Sequence, residues 1–345
     1  MKKKDIRDLS EEELSNFFLE KELPKFRMSQ LNEWLWRKAA NSFEEMTSLS
    51  KEIRNLLKNT FSINSININQ KIKSSDGTIK YSFILHDQNL IEGVLIPSKK
   101  RVTACISSQV GCSLDCKFCA TGTLKLRRNL THYEIFLQAY KLNEESKANY
   151  GKGITNIVFM GMGEPLLNYK NLLHSIEKIT SNEGMGMSPR RITVSTVGIS
   201  KMIKKLADDN VKFNLAISLH SADNDTRSNI MSINHANDLS SLSNAIKYYF
   251  EKTKNRITYE YVLLRNVNDS IDFAKKLAAF SKICPCKINL IEYNPIKESE
   301  FNKSTNNMTR KFAEYIESKN IIVTIRRSKG EDINAACGQL VNNLS

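Results

Sequence analysis

The 345-residue sequence predicts an α/β fold, a partial (β/α)6 barrel with a small N-terminal helical domain and a short β linker region. Three observations predict it. Helix-start signals crowd residues 1–60, short β-type runs fill 61–101, and strand-like and helix-like segments alternate over 102–345. That alternation implies a parallel sheet with helices outside it.

In the helical domain, Ser10 with Glu13 and Ser42 with Glu45 follow the capping-box pattern, in which each side chain satisfies an orphan backbone N–H at a helix start. Ser50 opens a third helix, SKEIRNLLKNTF. Trp34 and Trp36 fall in the middle helix and read as packing residues, with base stacking as the alternative. INSININQKI, TIKYSFILH and LIEGVLIP are the next strands, and SSDG, HDQN and PSKKR supply the turn chemistry between and after them. VTACISS opens the barrel. ITNIVFM, RRITVST, KFNLAISLH, RITYEYVLL and KINLIEYN each precede a helical stretch, and IIVTIRR closes the series, giving about six βα units. In such folds the active site sits at the carboxyl ends of the strands. There the sequence places GCSLDCKFCATG after VTACISS, GMGEP after NIVFM, SLH at the end of NLAIS, and Asn294 at the end of KINLIEYN.

Composition bounds the function. Hydrophobic residues make up 41% and charged residues 26%, as in ordinary soluble globular proteins. The longest apolar runs fall far short of the roughly 18 to 20 residues of a membrane helix, and MKKKDIRDLSEEE has no apolar signal core, so a cytoplasmic protein without membrane contact is expected. Seven cysteines in such a chain suggest reduced thiols, metal ligands or redox chemistry rather than a disulfide framework. Lys and Arg number 51 against 37 acids, a net charge of +14 that suits a polyanion such as RNA, although a merely basic soluble protein has the same excess.

Cys112, Cys116 and Cys119 lie within eight residues, with no fourth cysteine nearby. Iron-sulfur clusters are held by cysteine thiolates, usually one per iron, so three would leave one iron of a 4Fe-4S cubane uncapped. An uncapped iron can chelate the amino and carboxylate groups of a small molecule and pass it an electron. A zinc site completed from afar and three unrelated core cysteines remain alternatives; structural zinc sites usually pair two short couples, and the CPC at 284–286 is too tight to be the second.

The spacing Cys-x3-Cys-x2-Cys with Phe118 before the last cysteine resembles the signature of the radical S-adenosylmethionine superfamily. The combination of CISSQVGC, GCSLDCKFCATG, GMGEPLLN, NLAISLH, EYVLL and DINAACGQL resembles its RNA adenine methyltransferases, in particular those with dual specificity for 23S ribosomal RNA and transfer RNA. The resemblance runs from FRMSQLNEWLW to the last residues. It implies a 4Fe-4S cluster on Cys112, Cys116 and Cys119, which reductively cleaves S-adenosylmethionine, and a cofactor site made by Gly163, Glu164, Ser195, Ser218, Leu219, His220 and Asn294. It implies that Cys337 takes a methyl group from one cofactor molecule, that a second supplies the radical that activates it for addition to carbon 2 of adenine, and that Cys105 resolves the covalent RNA adduct through a transient disulfide.

By the same resemblance Glu92, in LIEGVLIP, is the base, a carboxylate expected among apolar residues that would raise its pKa. Residues 1–60 are expected to dock RNA, a flavodoxin-type or similar protein to donate electrons, and the enzyme to act as a monomer. The sister family that methylates carbon 8 shares the cysteines but tends to carry Ala where this chain has Pro165, and INLIEYNPIKE also favours carbon 2. A noncatalytic iron-sulfur RNA-binding protein is the rival of another class.

Overall fold

The computed structural model describes residues 3–297 and 299–341. The helical region comprises α1 (Glu11–Glu20), α2 (Lys25–Asn32) and α3 (Lys51–Thr60). Ser10 and Glu13 complete a capping box on α1, with bonds of 3.0 and 2.7 Å. Ser50 caps α3 by accepting from the Ile53 N–H. Ser42 and Glu45 correct one expectation. Their side chains do bond, at 3.2 Å, but no helix follows. Phe43, Met46 and Leu49, spaced by three, are all buried through successive tight turns, Met46 N–H to Phe43 O and Leu49 N–H to Met46 O. Local burial at that spacing wins over continuation into a helix.

After α2 a π-type turn, Glu33–Arg37, buries Trp36 against Phe136, ring centroids 5.3 Å apart, while Trp34 donates its indole N–H to Ser48. Trp36 is a packing residue. It helps seat the helical region on α4 (His132–Tyr150), together with Arg7, whose guanidinium pairs with buried Asp5 and lies 4.4 Å over the Tyr133 ring.

Strands β1 (Asn67–Lys73), β2 (Ile79–Ile84), β3 (Leu90–Pro97) and β4 (Val102–Cys105) pair antiparallel in sequence. β5 (Gln109–Val110) and β6 (Arg128–Asn129) then pair with each other and close the loop that holds the three clustered cysteines. Arg128 grips Glu134 through two bonds of 2.7 and 2.9 Å, and Glu134 in turn forms a capping box with Thr131, so the loop's exit is locked to the start of α4.

Parallel strands follow: β7 (Asn156–Phe159), β8 (Ile192–Thr196), β9 (Asn214–Ser218), β10 (Ile257–Leu263), β11 (Cys286–Glu292) and β12 (Ile322–Arg326). Between them run α5 (Tyr169–Thr180), α6 (Ser200–Asp208), α7 (Asn224–Ile230), α8 (Leu239–Thr253), α9 (Ile271–Phe280) and α10 (Asn306–Glu317). The sheet order β1-β2-β3-β4-β7-β8-β9-β10-β11-β12 is an open, ten-stranded curve. From β4 onward it is the expected partial barrel; the β segment before it is hydrogen-bonded into the same sheet. The main hydrophobic core runs from Ile6 to Leu340, and a second, small cluster gathers Ile230, Met231, Val262, Leu264 and Tyr293. Among the described residues no helix is long and apolar enough to cross a membrane.

Beyond β12 the chain folds back over the carboxyl ends of the strands. Ala120 N–H donates to Gly338 O at 2.7 Å and the Thr121 hydroxyl to Leu340 O at 2.6 Å, so this segment is sewn to the residues just after Cys119.

Candidate active site

The carboxyl ends of the barrel strands surround a cavity of about 1030 Å³ that opens to solvent. Cys112, Cys116 and Cys119 line it together. Their loop is shaped by backbone bonds from Cys119 N–H to Cys116 O and from Gly122 N–H to Cys119 O, and the Phe118 ring packs edge-on against His220 at 4.6 Å.

Burial pushes the Cys112 thiol up to about 11 and raises Cys116 and Cys119 as well; Cys116 also feels both neighbouring thiols. Iron would remove these protons outright, as metals do from coordinating thiols. Among the described residues no three Cys, His, Asp or Glu side chains close on a point as the ligands of a single ion would. Three soft thiols facing one cavity fit a multi-iron cluster with a corner left for a ligand.

Opposite the triad stands the GMGEP turn after β7. Gly163 has φ +93°, and a Cβ there would lie 2.4 Å from the Cβ of Gln109, so only glycine fits. Gln109 uses the close approach: its side-chain oxygen accepts from Glu164 N–H at 2.9 Å, tying this turn to the strand that enters the cysteine loop. Glu164 is buried, and its two oxygens accept from Leu166 and Val197 N–H at 3.0 and 2.9 Å. Burial outweighs those bonds and lifts its pKa to about 7, so a cation arriving beside it would favour the charged form.

Ser195 and Ser218 also line the cavity, with hydroxyls 3.2 Å apart. His220 lines it too. Its φ is +55°, its Nδ1 accepts from Val262 N–H at 3.0 Å, and burial depresses its pKa to about 3, so the ring is neutral. Asn294 donates to Cys337 O at 3.3 Å and accepts from Ser328 at 2.6 Å. Leu219 is the exception among the expected cofactor residues. Its side chain is fully buried in the core, and its backbone N–H and C=O bond to Glu260 O and the Arg227 guanidinium.

A second cavity, of about 700 Å³, shares a wall with the first. Cys337, Asn294 and Met160 belong to both; Cys105, Arg326, Arg327 and Lys329 line only the second. Cys337 is thus accessible from the cavities although protein encloses it, and burial pushes its thiol up to about 11, with Arg326 acting the other way. Cys105, at the end of β4, is buried and pushed up to about 12, first by burial and then by the Cys337 charge. All seven cysteines are free thiols. Cys284 and Cys286 sit at the start of β11, the opposite end of the barrel.

Glu92 corrects its expected surroundings. It is buried, but not among apolar groups alone: Lys80 Nζ lies 3.3 Å from Oε1, and Oε2 accepts from Val341 N–H at 2.9 Å. The sequence reading passed over Lys80, Gln109, Glu260 and Arg326. Glu260 is buried near the thiols, pairs with Arg326 at 3.4 Å and accepts from Asn289 at 2.8 Å. A signal for it existed: a lone carboxylate inside ITYEYVL repeats the pattern that Glu92 makes inside LIEGVLIP.

The sequence model of the radical SAM superfamily matches residues 106–277, and that of the ribosomal RNA large subunit methyltransferase N-terminal domain matches residues 4–63. The chain is 52% identical over 341 residues to the probable dual-specificity RNA methyltransferase RlmN of Christiangramia forsetii, spanning 99% of this chain and 97% of that protein. It is 54% identical over 340 residues to the same-named protein of Cytophaga hutchinsonii, spanning 99% and 93%. A crystal structure of a radical SAM methyltransferase from Sphaerobacter thermophilus superposes with a TM-score of 0.92 at 36% identity, covering 98% of this chain and 99% of that one.

Proposed function

The chain belongs to the radical SAM dual-specificity RNA methyltransferases, and from that premise we propose that it methylates carbon 2 of a specific adenine in 23S ribosomal RNA and of an adenine in the anticodon region of transfer RNAs. The observation that carries the reading is the place of Cys337 on the wall between two cavities, one lined by the cysteine triad and the other by Cys105 and a basic rim. Carbon 2 is electron-poor and no nucleophile, so the methyl group needs a carrier and radical activation. Cys112, Cys116 and Cys119 would hold a 4Fe-4S cluster, which would supply that activation as one-electron reduction of S-adenosylmethionine bound in the same cavity.

The protein's own residues do the rest. Glu164, aimed by two backbone N–H groups, binds the cofactor's amino group; Gly163 allows the close backbone approach; Ser195, Ser218, neutral His220 and Asn294 hold its remainder. Leu219 contributes by its buried backbone, which sets Ser218 and His220. Cys337 takes a methyl group as a sulfur nucleophile and delivers it to the base. Glu92 takes the proton that carbon 2 loses, and the Cys105 thiolate bonds to the Cys337 sulfur as the sulfur–carbon bond breaks, leaving a Cys105–Cys337 disulfide.

Residues 1–60 dock RNA, 61–101 form a β extension, and 102–345 form the barrel with the catalytic cysteine segment, residues 1–2, 298 and 342–345 of these ranges lying outside the described residues. Exposed Phe26 beneath the Arg27 guanidinium supports the docking role. With a charge of +14, phosphate contacts should supply much of the affinity, which then falls with salt. The adenine must be unstacked to reach the cavity. We place the enzyme in the cytoplasm, as a monomer served by a flavodoxin-type donor.

The test is anaerobic reconstitution with iron and sulfide, reaction with methyl-labelled S-adenosylmethionine, and mass spectrometry of digested RNA. Labelled 2-methyladenosine is expected from both 23S ribosomal RNA and transfer RNA; 8-methyladenosine, or no label, overturns the reading. In the same preparation Gly163→Ala is expected to weaken cofactor binding at least about tenfold, since a Cβ at positive φ and against Gln109 strains the turn by roughly 1–3 kcal/mol. Calorimetric titration checks this, and unchanged affinity would remove Gly163 from the site.

A further inference from the structure

A buried lysine reaches the segment that carries Cys337, and nothing in the reaction as described uses it. Lys80 lies in the middle of β2, opposite Val94, and Glu92 is its diagonal neighbour on β3. Both side chains are buried. The Lys80 ammonium lies 3.3 Å from Glu92 Oε1 and donates to Asn334 O at 3.2 Å. Glu92 Oε2 meanwhile accepts from Val341 N–H at 2.9 Å. The pair therefore holds the Cys337 segment at two points, three residues before the cysteine and four after it.

The pair is also tied to the chain just beyond Cys105, which itself pairs with Val94 on β3. Ser107, two residues beyond Cys105, donates its hydroxyl to the backbone oxygen of Glu92 at 2.6 Å. Ser82, directly opposite Glu92 across the ladder, has a buried hydroxyl with no hydrogen-bond partner. Lys80 and Ser82, two residues apart on one strand face, thus put two polar side chains beside this one carboxylate. A buried ion pair is weak evidence for stability alone, because a well-packed apolar pair of similar volume often does as well.

We propose that Lys80 is a positioning residue for the release step, fixing the Glu92 carboxylate in register with the segment that bears the RNA adduct. The proposal rests on the reading of Glu92 as the base. In that step the proton on carbon 2 of the radical adduct passes to a Glu92 oxygen, the C–H electron pair stays in the ring, and the one surplus electron would go to a one-electron acceptor, the role an oxidised iron-sulfur cluster on the three clustered cysteines would fill. Lys80 lines neither of the two cavities. It orients the acceptor, and its bond to Asn334 O couples that orientation to the position of Cys337.

The test separates two steps in the reconstituted enzyme: methylation of Cys337, read by intact-protein mass, and release of RNA, read as free methylated product against covalent protein–RNA species on a denaturing gel. Lys80→Met is expected to methylate Cys337 within about threefold of wild type, yet to release product at least tenfold more slowly, with adduct accumulating. Lys80→Arg, which keeps the charge, is expected to recover most of the release. A merely structural lysine would lower both steps together with no adduct, and that result overturns the proposal, as does normal release by Lys80→Met. Should Lys80→Met lose its fold, Lys80→Gln is put through the same two readouts; if neither neutral variant folds, Lys80 is structural and the proposal fails. Wild type run alongside keeps the questions apart: if it makes no methylated adenosine the functional reading has failed, whatever Lys80 does.

Discussion

Cys337→Ala is expected to abolish RNA methylation, by at least about 10⁴-fold, the order of loss when an enzyme's covalent nucleophile is removed. It is also expected to leave no methylated protein after incubation with S-adenosylmethionine alone. The fold should be untouched. Cys337 is exposed to the cavities, and its segment is held by backbone groups that the substitution leaves in place: Cys337 O to Asn294, Gly338 O to Ala120 N–H, and Val341 N–H to Glu92. A truncation of this kind changes stability by roughly 0.5 kcal/mol or less. Iron content and cofactor affinity should therefore stay at wild-type levels while the methyl label vanishes from both protein and RNA. A noncatalytic iron-sulfur RNA-binding protein predicts the contrary, function unaffected by loss of the thiol. Labelled RNA from Cys337→Ala would end the carrier role.

What the sequence made legible is what lies close along the chain. Cys112, Cys116 and Cys119 are one loop, and their spacing alone pointed to a metal site; Gly163 with Glu164, one turn, and Ser218 with His220, one strand end, are local too but took their meaning from the family resemblance. The barrel was legible for a related reason: each βα unit is a local pattern, and the handed crossovers order the parallel strands from β4 onward. Local pattern misled at Ser42 and Glu45, where the side-chain bond forms but burial of Phe43, Met46 and Leu49 turns the chain away from a helix. Pairings between distant segments were invisible. Lys80 meets Asn334 across 254 positions and Glu92 meets Val341 across 249. No periodicity encodes such contacts; they arise when the C-terminal segment folds back over the barrel mouth.

Cys105→Ala is expected to let the reaction begin and stop it before release, so that methylated Cys337 forms normally and RNA becomes trapped as a covalent adduct. Before release the adduct joins Cys337 Sγ through one carbon to carbon 2 of adenine. To break it, a thiolate must bond to the Cys337 sulfur while the sulfur–carbon electron pair goes to carbon, which takes up a proton to become the methyl group. The two sulfurs are left as a disulfide that cellular thiols reopen. Cys105 is placed for this attack because it ends β4 on the wall of the cavity that Cys337 also lines, and the Cys105 thiol feels the Cys337 charge.

Burial holds Cys105 protonated near neutrality, with Arg326 the nearby cation that opposes it, so release by the wild type is expected to quicken as pH rises above neutrality. Cys105→Ala removes one buried sulfur, a cavity costing about 1 kcal/mol, which the core from Ile6 to Leu340 should absorb. Denaturing electrophoresis with labelled RNA reads the result directly. A stoichiometric band of RNA-bound protein is expected, insensitive to added thiols because no disulfide has formed. Free methylated RNA from this variant at the wild-type rate would take the resolving role from Cys105 and leave the second cavity without its reason for holding a second thiol.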